Sequence, residues 1–357
     1  MIGLRMVQAC RLIFARFGRS RPVYAHYGVT HRCNMRCRMC AVWTTGHADS
    51  ELTIPQIERL ARNLWAAGVR SIALGGGEPF VRPDLAGLIA AFGRLGFEIR
   101  LLTNGVNVSE ARLADVVAAG VRHVSVSLDS RDPVKEAFIY GGNDVWDDIV
   151  GVMRRVRAML PGGAIPIMNV CVSRLNLDEL PDLVGLAENL GFYASFVPIA
   201  LAPSPEAGDG FAAHAPDLAV RPEDHGRLAA AYAELLRLKR RGAAIANSSR
   251  FLRDSLAFLK NESFRWTCDA GRLYVSVNPE GDIAICHRFP PFARWDMDDF
   301  ADRLRVPEWR RHADRQRAGC PGCMRPCWAE VSHAVHDWRG MIEAARLVAG
   351  SGRGQRR

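Results

Sequence analysis

The residues with the most chemistry in this chain are cysteines, and they cluster. Cys33, Cys37 and Cys40 stand in a C-x3-C-x2-C spacing within His31-Arg-Cys33-Asn-Met-Arg-Cys37-Arg-Met-Cys40. A second group, Cys320-Pro-Gly-Cys323-Met-Arg-Pro-Cys327, has Cys268 and Cys286 upstream of it. Thiolates at such spacings bind iron or zinc. The first three can take three irons of a cubane, which leaves the fourth iron without a protein ligand and open to a chelating small molecule. A closed zinc site on the same thiolates needs a fourth ligand, and His31 or His47 is at hand for that alternative. Ten cysteines with no recognisable secretion signal argue for a reducing compartment and metal ligation over disulfides. Cys10 and Cys171 stand alone in apolar surroundings and read as small buried hydrophobes.

The elements around these residues have to position them. From Val23 to about Ile199, strand-like and helix-like segments alternate. The strand candidates are 23–29, 70–74, 98–103, 123–128, 165–172 and 193–197. Thr53 and Gln56 form a capping box ahead of Ile57, Leu60, Ala61 and Leu64, with Gly68 as the stop. Ser109 caps a helix that ends before Gly120, and Asn176 precedes one over 177–190. Strands joined by single helices favour a parallel sheet with right-handed crossovers. Six units are too few for a closed eight-stranded barrel, so the α/β fold expected is a partial, open (β/α)6 barrel.

The candidate residues then fall at successive strand ends. The first cysteine group follows strand one, and Gly75-Gly76-Gly77-Glu78-Pro79 follows strand two. Thr103-Asn104-Gly105 ends strand three, and Ser125-Val-Ser127-Leu-Asp129 forms strand four. Ligands of open parallel sheets and barrels sit at the carboxyl ends of the strands, which is where all four lie.

These four elements, in order over roughly Tyr24–Val197, resemble the radical S-adenosylmethionine (SAM) superfamily. The resemblance implies a [4Fe–4S] cluster on Cys33, Cys37 and Cys40 whose fourth iron is chelated by the amino and carboxylate groups of SAM. An electron from that cluster would split SAM, and the 5′-deoxyadenosyl radical would take a hydrogen atom from the substrate. By the same resemblance Gly76 and Gly77 let backbone approach SAM and Glu78 accepts from its ammonium. Ser127 and Asp129 face its carboxylate and ribose, and Asn104 is a further candidate. Met39 stands where the family usually has an aromatic beside the adenine, a departure that a flexible thioether can cover.

Cys268-x12-Gly281-x4-Cys286 resembles the opening of the SPASM or twitch extension of that superfamily. A full SPASM domain has seven cysteines, whereas this region has five. The resemblance therefore implies one auxiliary [4Fe–4S] cluster, on Cys268, Cys286, Cys320 and Cys323 with Cys327 as the alternate. Zinc on the same ligands is the other reading. His287 reads as a surface histidine or as a residue tuning that cluster. Such families modify peptides, protein side chains, or sugar and aminocyclitol groups. A peptide or protein substrate is the leading expectation, with a small polar metabolite or a lipid behind it, and a flavodoxin- or ferredoxin-like donor supplies electrons. A non-catalytic zinc or Fe–S binding protein is the alternative from another class.

Composition sets the outer limits. Of 357 residues 48% are apolar, enough for a large core, and the formal charge of +9 is carried almost entirely by arginine, since only Lys135, Lys239 and Lys260 are lysines. No basic run is interleaved with aromatics, so nucleic acid is not an expected partner. No apolar run approaches the roughly 20 residues that cross a bilayer. On a helical wheel Arg5, Arg11, Arg16 and Arg19 oppose Ile2, Met6, Ile13, Phe14 and Phe17, which suits a helix packed on the domain or residues 1–19 lying on a membrane surface. The expected organisation is an amphipathic helix (1–22), a radical SAM core (23–201), a linker with bridging helices (202–265), a SPASM/twitch-like hairpin and helix unit (266–335), and a C-terminal helix with a disordered tail (336–357). The expected location is cytoplasmic, with contact at a membrane surface through residues 1–19 as the alternative.

Overall fold

The computed structural model describes residues 21–44, 50–202, 212–264, 266–304, 306–320 and 322–350. The amphipathic segment expected over 1–19, Cys10, His47 and the tail beyond residue 350 lie outside the described residues.

Six strands form a parallel run: β1 (Tyr24–Thr30), β2 (Ser71–Gly76), β3 (Glu98–Thr103), β4 (Val121–Ser127), β5 (Ile167–Val172) and β6 (Tyr193–Pro198), ordered β6-β5-β4-β3-β2-β1. Each pairs in parallel with its neighbour, as at Tyr24↔Ser71 and Ser71↔Glu98. The period of two is plain in β3. Ile99 and Leu101 are buried against the helices, while Glu98, Arg100 and Leu102 are half-buried and line the interior.

Helices cover the outer face: α1 (Ile54–Ala67), α2 (Leu85–Gly93), α3 (Glu110–Ala118), α4 (Pro133–Ile139), α5 (Trp146–Met159) and α6 (Leu180–Asn189). In α1 the residues Ile57, Leu60, Ala61, Leu64 and Ala67 are buried on one stripe. Gln56 Oε1 accepts from the Thr53 backbone N–H at 2.8 Å, and Gly68 ends the helix at φ 114°. Two crossovers are less regular than single helices. Between β4 and β5 lie both α4 and α5, and Asn176 opens a short 3₁₀ turn (Leu177–Glu179) before α6.

The sheet does not end at β1. After α7 (His225–Arg240) and α8 (Ser249–Leu259) the chain returns as β7 (Tyr274–Val277), which pairs in parallel with β1. The strand β8 (Asp282–Ala284) is antiparallel to β7, and β9 (Ala293–Arg294) to β8. The hairpin therefore extends the barrel sheet. The helices α9 (Phe300–Arg303), α10 (Pro307–Ala318), α11 (Pro326–His336) and α12 (Trp338–Gly350) follow.

The open side of the barrel, between β6 and β1, is closed by this C-terminal part. Residues 244–246 run along the edge of β6, and Asn247 Oδ1 accepts from the Phe196 N–H at 2.6 Å. Glu330 of α11 and Glu343 of α12 accept from the Ser248 and Ser249 N–H groups, each at 2.8 Å. Trp328 of α11 stacks on Tyr274 with centroids 4.6 Å apart and meets Tyr24 and His26 edge-on at 5.9 and 6.0 Å. Among the described residues no helix is long and apolar enough to cross a membrane.

Candidate functional site

The first cysteine loop rests directly on the glycines that follow β2. Gly77 N–H donates to the Thr30 carbonyl at 2.8 Å, and Glu78 N–H to the Arg32 carbonyl at 2.9 Å. A Cβ on Gly76, at φ +117°, would stand 2.3 Å from the Thr30 carbonyl oxygen, and one on Gly77 would stand 2.1 Å from that of Arg32. Close approach is what these positions need glycine for, and the approaching group is the cysteine loop's own backbone. The loop base is fixed further by residues the sequence did not single out. Glu51 takes Arg32 Nε and Nη2 at 2.9 Å each and also accepts from Thr30 Oγ1. Buried Arg82 donates to the Val29 and Leu52 carbonyls and to Asp84. Only the assembled fold brings these partners together.

Cys33, Cys37 and Cys40 line one wall of a cavity of about 730 Å³ inside the barrel, a usual size for a small-molecule site. Met39, Gly76, Gly77, Asn104, Ser127 and Asp129 line the same cavity. Burial pushes the Cys33 thiol up, against hydrogen bonds from the Met35 N–H and the Asn104 amide. Burial and the charge of Cys40 push up Cys37. Three thiolates side by side therefore call for a strong positive charge between them. Among the described residues no three Cys, His, Asp or Glu side chains converge on one point as a single ion demands. A cubane does not require that, since each thiolate binds a different iron. The donor set fits such a cluster.

Glu78 is placed differently from the expectation that it faces a ligand. It is fully buried, and its carboxylate turns inward to the end of β3. Oε1 accepts from Thr103 Oγ1 at 2.9 Å and Phe80 N–H at 3.1 Å, and Oε2 from Asn104 N–H at 2.7 Å. Burial raises its pKa to about 7 despite those three donors. Its side chain holds the β3 turn, and so sets Asn104, whose amide donates to Asn34 Oδ1 at 2.8 Å over the cysteine loop. Asp129 does reach the cavity. Burial raises its pKa, and Oδ1 accepts from the Cys171 N–H at 2.6 Å. Cys171, read as a buried hydrophobe, is a wall residue of the same cavity, and so is His287.

The second cysteine set gathers beside the barrel. Cys268 Sγ lies 3.1 Å from Tyr274 Oη, and Cys286 Sγ lies 3.6 Å from His287 Nδ1. Burial pushes Cys286 up to about 12, with the charge of Cys323 adding to it, and burial likewise raises Cys268, with the charges of Cys323 and Cys320 adding a smaller part. Cys327 lines the main cavity from the first turn of α11; burial pushes it up to about 12, and the charge of Cys323 adds to that.

A cavity rimmed by three thiols at the carboxyl ends of an open parallel barrel is a place suited to hold a cofactor. Residues 27–187 match the family described as the Radical SAM superfamily. That superfamily implies SAM and a SAM-binding [4Fe–4S] cluster. Over 204 residues the chain is 34% identical to the GTP 3′,8-cyclase of Rhodopseudomonas palustris (strain TIE-1), covering 54% of this chain and 56% of the relative. It is 32% identical over 164 residues to the PqqA peptide cyclase of Streptomyces rochei, covering 46% and 44%. The chain thus spans about half the length of these curated relatives. Streptococcus suis SuiB bound to S-adenosylmethionine has the same fold, with TM-score 0.64 at 15% identity over 89% of this chain and 76% of that one. The anSMEcpe structure with bound AdoMet and Cp18Cys peptide superimposes with TM-score 0.59 at 14% identity, over 94% and 100%.

Proposed function

We propose that this chain binds a [4Fe–4S] cluster on Cys33, Cys37 and Cys40, with SAM in the cavity beside it, and modifies a peptide or protein substrate by hydrogen abstraction. The observation that carries this reading is the single cavity shared by the three thiols, Met39, Gly76, Gly77, Asn104, Ser127 and Asp129. When bound, the cluster supplies the electron that splits SAM into methionine and a 5′-deoxyadenosyl radical. The protein's own part is to orient and to exclude water. Asn104 donates to Cys33 Sγ at 3.8 Å, Ser127 and Asp129 present polar atoms to SAM, and α11 and α12 seal the barrel side. A single auxiliary [4Fe–4S] cluster on Cys268, Cys286, Cys320 and Cys323 would accept an electron from the substrate side. A flavodoxin- or ferredoxin-like donor and a cytoplasmic setting belong to the same reading.

The peptide preference draws support from fold neighbours solved with peptides, SuiB with its precursor peptide SuiA and anSMEcpe with Cp18Cys. The GTP 3′,8-cyclase relatives favour a second reading, a small polar metabolite. Anaerobically reconstituted protein is expected to hold about eight irons, two cubanes' worth. The triple variant C33A/C37A/C40A is expected to hold about half and to form no 5′-deoxyadenosine; SAM cleavage retained in that variant would overturn the assignment.

A further inference from the structure

The barrel interior holds a cation that the chemistry at the rim does not use. Arg100 lies on the inward face of β3 with Glu98, Leu102 and Asn104, and it lines the cavity. At a strand rise of about 3.3 Å per residue it sits roughly 13 Å below Asn104, deep in the barrel. Its Nη1 donates to Ser125 Oγ at 3.0 Å and to the Ile165 carbonyl at 3.1 Å. Both acceptors are neutral. Among the described residues Arg100 forms no ion pair, and its Nε and Nη2 donors meet no acceptor. The acid on the same face, Glu98, has Oε1 against His123 Nε2 at 2.8 Å. The histidine facing the cavity from β1, His26, is held neutral, since burial lowers its pKa to about 4.

The contrast with Arg82 is informative. That guanidinium, also buried, is saturated by two carbonyls and Asp84. The only carboxylate whose charge bears on Arg100 is Glu98, which is engaged by His123 and makes no hydrogen bond to the guanidinium. A fold that pairs Arg82 fully and leaves half the Arg100 fork facing a cavity keeps that half for a ligand. Burial brings the Arg100 pKa down only to about 10, so the group stays charged at neutral pH.

We propose that Arg100 is the receptor for an oxyanion on the substrate, a carboxylate or a phosphate, gripped side-on through Nε and Nη2. The proposal rests on the barrel cavity being the reaction chamber and names the substrate class: one acidic group at the barrel floor, with the reacting C–H toward the thiolate rim. A carboxylate fits an acidic peptide side chain or an amino-acid-like metabolite, and a phosphate fits a phosphate ester.

The test is thermal unfolding of the full, anaerobically reconstituted chain in acetate or in inorganic phosphate, against chloride at the same ionic strength. A ligand that binds only the folded state raises the midpoint with its concentration. The wild-type midpoint is expected to rise with one of the two oxyanions, and R100M is expected to lose most of that rise, any remainder measuring Arg325 of the same cavity and surface arginines. The larger rise, acetate or phosphate, identifies the acid. R100K keeps the charge without the fork and is expected to fold and to bind the anion about 10- to 100-fold more weakly. Equal rises in wild type and R100M, undiminished affinity in R100K, or no oxyanion-specific rise in wild type overturns the proposal. C33A/C37A/C40A is expected to keep the rise while losing SAM cleavage, so failure of the anion site and failure of the cluster reading give different results.

Discussion

Glu78 carries an ionisable group into a place without water, and three donors hold it there. In E78Q the amide NH2 must face either Asn104 N–H or the Thr103 and Phe80 donors. One site is left unsatisfied, which costs about 1–3 kcal/mol. Chemical denaturation of the variant should show that loss at neutral pH, and an unchanged stability would place the carboxylate elsewhere. The pH dependence has a definite sign. An acid raised in the folded state from 4.5 to about 7 lets the folded state bind more protons between those values. Its contribution is therefore full below pH 4.5 and is lost as pH rises through about 7. E78Q should lack that part of the decline, seen as a flatter stability profile across the window. Sequence reading located Glu78 within its motif but not its direction. A residue's type and neighbours give its chemistry; which side of a strand end it faces depends on what packs there, here Thr103 and Asn104 from β3. The glycine run was legible as a place of close approach, yet the approaching group was visible only in three dimensions. G77A would force a Cβ onto the Arg32 carbonyl, so the variant is expected to lose iron from the first cluster, measured per chain after reconstitution.

At the scale of elements, the six strands and the capped helices were legible because their signals are local: period two in β3, the capping box at Thr53, the glycine stop at Gly68. What was not legible was how α11 lies. Its cysteine belongs by spacing to the Cys320 and Cys323 group, but Pro326 starts a helix whose first turn points Cys327 into the barrel. The charge of Cys323 still bears on Cys327 there, so the helix start sets its direction without removing it from the pair's neighbourhood. Iron analysis of C327A should give the wild-type content, while C323A should lose iron from the auxiliary set. Equal losses in both would place Cys327 among the ligands. Cys268 is tied to the barrel through Tyr274 of β7, so C268A also removes a partner from a strand paired with β1.

Among the described residues the named strands form one sheet flanked by two cysteine sets, and that continuity decides how its parts can be separated. The composition of 202–222, rich in Pro, Gly and Ala, invites the drawing of a linker between two units. The chain instead crosses back, and β7 pairs with β1 at Tyr24↔Tyr274 and Tyr27↔Val277. No local pattern announces such a pairing, because a parallel partner some 250 residues away is chosen by the completed fold. Trp328 is nearly fully buried and stacks on Tyr274 while meeting Tyr24 and His26, so it joins the barrel's first strand to the added one. Removing a buried Trp side chain costs about 3–5 kcal/mol, a large share of the roughly 5–15 kcal/mol that holds a typical domain together. W328A should therefore lower the midpoint of the whole chain in one cooperative transition, with the fluorescence and far-ultraviolet dichroism curves coinciding. A chain cut after residue 265 would bare the β1 edge and the inner aromatic wall together, and it should aggregate rather than persist as a folded barrel. Recovery of that truncated chain as a folded monomer able to cleave SAM would show that the barrel stands without the sheet's second part.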